Sequence, residues 1–399
     1  MSEITQEPPR LASTGWRLGH VLLALLPLLG LGIVIALIVM TGAGLTPSNL
    51  PPFEELTIQR IVLPEPGHMR VELVNGGPDP VTVAQVLVDD AFWQFTMEPQ
   101  QTVPRLGQAT IHLAYPWVEG EAHAVRLLTS TGVTFDGEVP LAVATPGFSW
   151  ELFLRYALLG FYVGVVPVAL GLAWHPFLRQ MGRTGLNVIL SLTVGLLVFL
   201  FIDTLLEALE VAATLPGAFS GQPLVWMLTL LTTLALLAVG GRRGDRSRLA
   251  VATMIAFGIG LHNLGEGLAI GAALAAGEAA LGTFLVIGFT LHNITEGIGI
   301  AAPLAQERPP LRQFIALGAL AGAPAILGTW IGGFAYSPLL TTVFMAIGAG
   351  AILQVIWEVG RMLVRDAQRH QEPLVSWPTF AGLTLGIAIM YATALLVTV

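Results

Sequence analysis

Apolar residues run in long unbroken stretches over most of this chain. A helix needs about 20 of them to cross a hydrocarbon layer. Runs between polar breaks predict nine spans, at 20–43, 150–173, 186–212, 223–240, 250–275, 280–304, 311–334, 339–363 and 377–399. Barrel strands would be shorter and would alternate apolar with polar positions, which these runs do not. Residues 51–146 differ. There 57–63, 69–74, 81–88, 109–115 and 122–128 alternate or are β-branched, between turn signals at Gly76-Gly77-Pro78, Pro99, Gly107, Gly120 and Gly132. About seven short strands predict a small antiparallel sandwich, with Phe92, Trp93, Phe95, Tyr115, Trp117 and Phe135 as core candidates. The expected fold class is an all-α polytopic membrane bundle of eight helices, with one N-terminal transmembrane anchor and a small all-β sandwich domain. Its parts are a tail at 1–19, the anchor at 20–43, the sandwich at 51–146 and the bundle at 150–399.

Arginine placement orients these spans. Thirteen arginines fall before the first span or in alternate connections from there: Arg10, Arg17, Arg179, Arg183, Arg242, Arg243, Arg246, Arg248, Arg308, Arg312, Arg361, Arg365 and Arg369. Only Arg60, Arg70, Arg105, Arg126 and Arg155 fall on the other side. The bias predicts a multi-pass protein of the cell membrane, with a cytoplasmic N-terminus and with the sandwich and C-terminus outside. The first span follows arginines and ends near Thr41-Gly42-Ala43-Gly44, as a cleaved secretory signal would. Its apolar core, 21–40, exceeds the roughly 7–15 residues of a signal core, which favours an uncleaved anchor.

Composition narrows the function. Only 11% of the 399 residues are charged and the mean hydropathy is +0.75, far from a soluble domain with its roughly 25% charged residues. A net charge of −8 argues against nucleic acid as a partner. The chain has no cysteine, so neither disulfides nor thiolate metal sites are available. The sandwich segment holds twelve acidic residues against four arginines. That field would concentrate cations near the membrane part, or is simply the charge of an exported domain. His68, His112 and His123 are weak ligand candidates there, or surface residues.

The chemistry sits in a repeat. Residues 260–274 read GLHNLGEGLAIGAAL and residues 290–304 read TLHNITEGIGIAAPL, identical at eight of fifteen positions. Consecutive spans run in opposite directions, so the copies form an inverted pair at mid-membrane depth. His262 and Glu266, like His292 and Glu296, are four residues apart and share a helix face. Asn263 and Asn293 lie about 100° round, where they reach an adjoining site. Burying two carboxylates there costs roughly 2.5–3.5 kcal/mol each or more, which needs an offset. Two imidazoles, two carboxylates and two amide oxygens suit a borderline divalent cation: Zn²⁺ first, with Fe²⁺, Mn²⁺, Co²⁺ or Cd²⁺ allowed. A helix-locking polar network is the competing reading. No organic cofactor is implied.

Other ionisable groups extend the path. Asp203, Glu207 and Glu210 follow i, i+4, i+7 spacing and read as an entrance vestibule or a solvated helix end. Gln354 and Glu358 lie in the inner half of the eighth span, where Glu358 is an exit ligand or an ion-pair partner of Arg361. Pro324 should kink its helix at the depth of the site.

The segments His262-Asn263-…-Glu266-Gly267, His292-Asn293-…-Glu296-Gly297 and Asp203-Thr-Leu-Leu-Glu-Ala resemble the ZIP (ZRT/IRT-like) family of divalent metal transporters, over about 150–399. The resemblance implies a 3+2+3 helix bundle with both ends of the family domain outside, and elevator-like sliding, and it allows a homodimer. It implies a primary site of His262, Glu266, His292 and Glu296, with Asn263 and Asn293 forming an adjoining site that shares the glutamates. Three departures stand out. Gly265 and Thr295 replace the family's proline before each glutamate, Ala323 replaces a glutamate before Pro324, and 241–249 carries no histidine. The second of these removes a carboxylate from the adjoining site.

The expected function is therefore inward transport of a divalent cation across a lipid bilayer, by a protein that is not an enzyme. No GxxxxGK[ST] stretch offers a nucleotide site. The alternatives are an intramembrane metal-dependent hydrolase, against which the absence of HExxH and of a separate general base count, and a metal-responsive sensor.

Overall fold

The computed structural model describes residues 18–41, 53–145, 147–241, 247–276 and 279–397. Arg10, Arg17, residues 42–44, and Arg242, Arg243 and Arg246 lie outside the described residues. The chain divides into two compact units, 1–52 and 53–399.

The first unit contains α1 (Leu18–Thr41), whose described side chains are exposed along its whole length. A helix that is apolar all round has no polar face to offer water. Its 24 residues overlap the anchor expected at 20–43.

In the second unit the chain first forms two antiparallel sheets from nine strands. They are β1 (Leu56–Glu65), β2 (His68–Asn75), β3 (Val81–Val88), β4 (Ala91–Trp93), β5 (Phe95–Glu98), β6 (Thr102–Val103), β7 (Gln108–Leu113), β8 (His123–Thr129) and β9 (Thr134–Val139). One sheet has the order β1-β2-β7-β5; the other has β4-β3-β8-β9, with β6 added against β3. Alternation along β2, β3, β7 and β8 turns Met69, Val71, Leu73, Val83, Val86, Ile111, Val125 and Leu127 inward. The centre of the core is thus aliphatic, and of the rings read from the sequence Trp93, Phe95, Tyr115 and Phe135 pack against it half-buried, while Phe92 does not. Of those six rings only Trp117 is buried, its Nε1 donating to the carbonyls of Glu65 and His68. Phe92 is 68% exposed because it follows the two-residue turn Asp89-Asp90 onto the short strand β4. Both turn residues have positive φ, as such hairpins require.

The sandwich meets the helices at one loop. The Glu55 carboxylate accepts from the Gly217 N–H at 2.6 Å, and a Cβ added at Gly76 would lie 2.6 Å from Pro216. Extended chain after β9 then enters α2 (Trp150–Gly160), capped by the Ser149 hydroxyl on the Leu152 N–H.

Eight helical spans, by length and composition, follow among the described residues. The first combines α2, a π turn at Phe161–Val165, α3 (Val166–Leu172) and α4 (His175–Leu178). Then come α5 (Arg183–Ala213), α6 (Gly221–Gly241), α7 (Arg248–Ala275) and α8 (Ala279–Ala301). The sixth span is split into α9 (Leu311–Gly322) and α10 (Pro324–Phe334), and α11 (Pro338–His370) and α12 (Trp377–Val397) complete the bundle. The interruption at Ala323 is the break that Pro324 predicts. Helices α7 and α8 run uninterrupted through Gly265 and Thr295.

Close backbone contacts organise the centre. Helix α7 lies along α10, where a Cβ added at Gly267 would meet the Ala325 carbonyl oxygen at 2.2 Å and one at Gly328 the Leu264 oxygen at 2.1 Å. Helix α8 lies along α3 in the same way. There a Cβ added at Gly297 would meet the Val168 oxygen at 2.3 Å and one at Gly171 the Ile294 oxygen at 2.0 Å. The repeat therefore extends to the partner helices: Pro324-Ala-Ile-Leu-Gly328 on one matches Pro167-Val-Ala-Leu-Gly171 on the other. Those partners cross each other at Gly322 and Gly164. The second copy carries one extra residue between this crossing glycine and its proline. The π turn accommodates it.

Candidate metal centre

Each motif histidine sits near the middle of its helix, and the glycine contacts hold α7 and α8 against their partners. The result is a convergence of side chains in the buried interior. His262, Glu266 and His292 offer ligand atoms that all lie within 4.8 Å of one another. The three residues are at most 6% exposed. Glu266 Oε1 pairs with His262 Nε2 at 3.0 Å and with His292 Nε2 at 2.5 Å. Glu266 Oε2 accepts from Asn293 Nδ2 at 3.1 Å.

The two asparagines are fixed by the helix breaks. Asn263 Nδ2 donates to the Ala321 carbonyl at 3.0 Å, three residues before Pro324. Asn293 Nδ2 donates to the Val163 carbonyl at 3.0 Å. Four residues after Val163 stands Pro167, which has no N–H to give that carbonyl. Each amide thus satisfies a backbone oxygen beside an irregular turn, and its own Oδ1 is left without a partner among the described residues. Both carboxylate oxygens of Glu296 are likewise buried and unmatched. Unmatched buried acceptors of this kind are costly, and a cation is the chemistry that would satisfy oxygens alone. The six motif residues therefore divide into a hydrogen-bonded cluster around Glu266 and an unmatched oxygen set on Asn263, Asn293 and Glu296.

Asp203 and Glu207, both exposed on α5, line a cavity of about 20 Å³ whose other walls include His262 and Glu266. That is room for a single water-sized occupant. Glu210, one turn further on, is exposed and does not line it. On the opposite side Gln354 is fully buried with neither amide atom partnered, and its Oε1 lies 3.2 Å from where a Cβ at Gly258 would be. Gly258 precedes His262 by one helical turn. Glu358, one turn along α11, is also buried. Arg361 makes no ion pair among the described residues, so the expected Glu358–Arg361 pair does not form.

In the sandwich the three histidines do not gather. His68 is exposed and His112 half-buried, while His123 is buried against Asp89 at 2.8 Å. The π turn at Phe161–Val165, which sets the carbonyl that orients Asn293, was not read from the sequence. Pro167 together with the P-x-x-L-G match to 324–328 is the signal that would have found it.

An eight-span bundle defines a multi-pass membrane protein, and its buried histidine–carboxylate cluster is one that could hold a metal ion. Residues 241–394, from the end of α6 into α12, match the family model described as ZIP Zinc transporter. That family carries divalent metal cations and its members are transporters. No curated protein matches the chain.

Proposed function

We propose that the bundle carries Zn²⁺ into the cytoplasm, with His262, Glu266 and His292 as the primary ligands and Asn263, Asn293 and Glu296 completing an adjoining oxygen-rich site. The observation that carries this is the convergence of three buried ligand groups within 4.8 Å at the middle of two antiparallel spans. Nitrogen and oxygen donors without thiolate suit a borderline cation that must later be released. Two glutamates balance the charge of one divalent ion. The nitrogens that face Glu266 Oε1 must present a lone pair to bind metal, so loading exchanges their hydrogen bonds for coordination.

The route begins at Asp203 and Glu207, whose carboxylates face the chamber that ends on His262 and Glu266. It leaves past Gln354 and Glu358 towards the arginine-rich end. Orientation with that end in the cytoplasm follows from the arginine bias.

Uptake of ⁶⁵Zn²⁺ into proteoliposomes tests this reading. Glu266→Ala should reduce uptake to the level of empty vesicles, and Asp203→Asn/Glu207→Gln should slow it while leaving equilibrium binding at the centre intact. Undiminished uptake by Glu266→Ala would remove the site assignment.

A further inference from the structure

A second cavity, of about 820 Å³, lies between α5, α6, α11 and α12, and shares no lining residue with the chamber beside His262. Its walls are almost wholly apolar. Along α11 it extends from Leu353 to Gln368, about 22 Å at 1.5 Å per residue, somewhat more than half the roughly 30 Å hydrocarbon thickness. Polar groups appear at two places. Ser191 Oγ, deep in the slot, is buried without a partner among the described residues. Arg361 and Arg365 stand near its mouth, exposed and without hydrogen bond or ion pair among the described residues.

The neighbouring charges make those two arginines unusual. Arg183 at the same end pairs with Asp366 at 3.2 Å and Glu372 at 2.5 Å, and Arg248 bonds Gln306 and approaches Glu307 at 4.0 Å. The nearby carboxylates are thus engaged. An occupant must fill a long apolar slot and bring negative charge to its end. We propose that this slot binds one anionic phospholipid, an acyl chain lying along α11 and the phosphate between Arg361 and Arg365. A free anion would leave the slot unfilled, and a neutral lipid would leave the net charge of two arginines unbalanced. A second copy of the chain would have to supply carboxylates, and those at this end are already held. The slot is bounded by α5 and α11, the helices that also carry Asp203, Glu207, Gln354 and Glu358, so a bound lipid braces the walls of the metal route.

The test is native mass spectrometry of the full chain, purified in mixed micelles of phosphatidylglycerol and phosphatidylcholine at equal amounts. Wild type should retain phosphatidylglycerol with a preference of roughly fivefold for each arginine that contributes. Arg361→Gln/Arg365→Gln should retain the two lipids equally. Gly360→Phe should retain neither, because a side chain there meets nothing within 4 Å and projects into the slot without disturbing α11. A thermal melt of each variant checks that it is folded. Equal retention of both lipids by wild type would overturn the proposal. So would unchanged retention in the folded variants, or Gly360→Phe dissociating a dimer in light scattering with no loss of lipid.

Discussion

Among the described residues three asparagines are fully buried, one in the sandwich and two in the bundle, and they are treated differently. Asn75 donates to the carbonyls of Asp79 and Val103 at 2.7 and 2.9 Å, and accepts from the Gly77 N–H at 2.9 Å. It is matched at both ends of its amide and closes a loop. Asn263 and Asn293 are matched only through their N–H groups, and their oxygens, like both oxygens of the Glu296 carboxylate, have no partner among the described residues. The sandwich also has unmatched polar atoms, on Glu54, Arg70, Trp93 and His123, but only one on each residue. A buried polar group that builds structure is matched within the protein. A concentration of unmatched groups of one polarity points to a guest of the opposite polarity.

The sharpest break of this comparison is Glu296→Gln. Uptake should fall to the vesicle background, while the melting temperature of the metal-free protein stays level or rises by a few degrees, because a costly buried carboxyl has been made neutral. A large loss of stability would mean that Glu296 is structural. Asn75→Ala should do the reverse. It should cost about 2–3 kcal/mol by leaving two carbonyls and one N–H unmatched, with unchanged uptake per folded molecule, measured by denaturant melts beside flux. Next comes Ala323→Glu, which places a carboxylate at the α9–α10 break two residues from the carbonyl that holds Asn263. Uptake should persist with an altered order of preference among Zn²⁺, Cd²⁺ and Mn²⁺ in competition assays. An unchanged order would separate position 323 from the metal route.

The smallest effect concerns acid. Desolvation alone would raise the Asp89 carboxyl, but hydrogen bonds from the Tyr115 hydroxyl, the Ala124 N–H and His123 outweigh it and hold the group below its ordinary value. Partial burial and the same carboxylate push the Tyr115 hydroxyl up to about 12. A depressed carboxyl contributes stability that is present above its unfolded value, near 4, and is lost as pH falls through the lower folded value. Asp89 is exposed on one side, so the contribution is a fraction of a kcal/mol. Tryptophan-fluorescence melts should show a slightly steeper loss of stability below pH 4 in wild type than in Asp89→Asn. Identical slopes would assign the acid sensitivity elsewhere.

Much of the fold was legible because a bilayer imposes a length and a polarity on each span, and both are local properties of sequence. Eight runs of the expected positions became helices, with boundaries at most seven residues from those read, the largest difference being at the end of α11. The pair His262/Glu266 was legible for a similar reason, since four residues return a helix to the same face, whereas His292 meets Glu266 of the other motif. The aromatic reading of the sandwich core failed at Phe92, where the side chain's direction depends on the turn at Asp89-Asp90 rather than on its own apolarity.

Sequence alone determined which residues are too polar for lipid and at what depth they sit, because hydropathy and helical rise act residue by residue. Tertiary structure decided which of them meet. Glu266 became the shared partner of both histidines, and Glu296 was left unmatched, although the two motifs are nearly the same in sequence. That asymmetry follows from how each motif helix is pressed against its own partner, α7 on the break at Pro324 and α8 on the π turn before Pro167. The two irregularities differ by one residue between the crossing glycine and its proline.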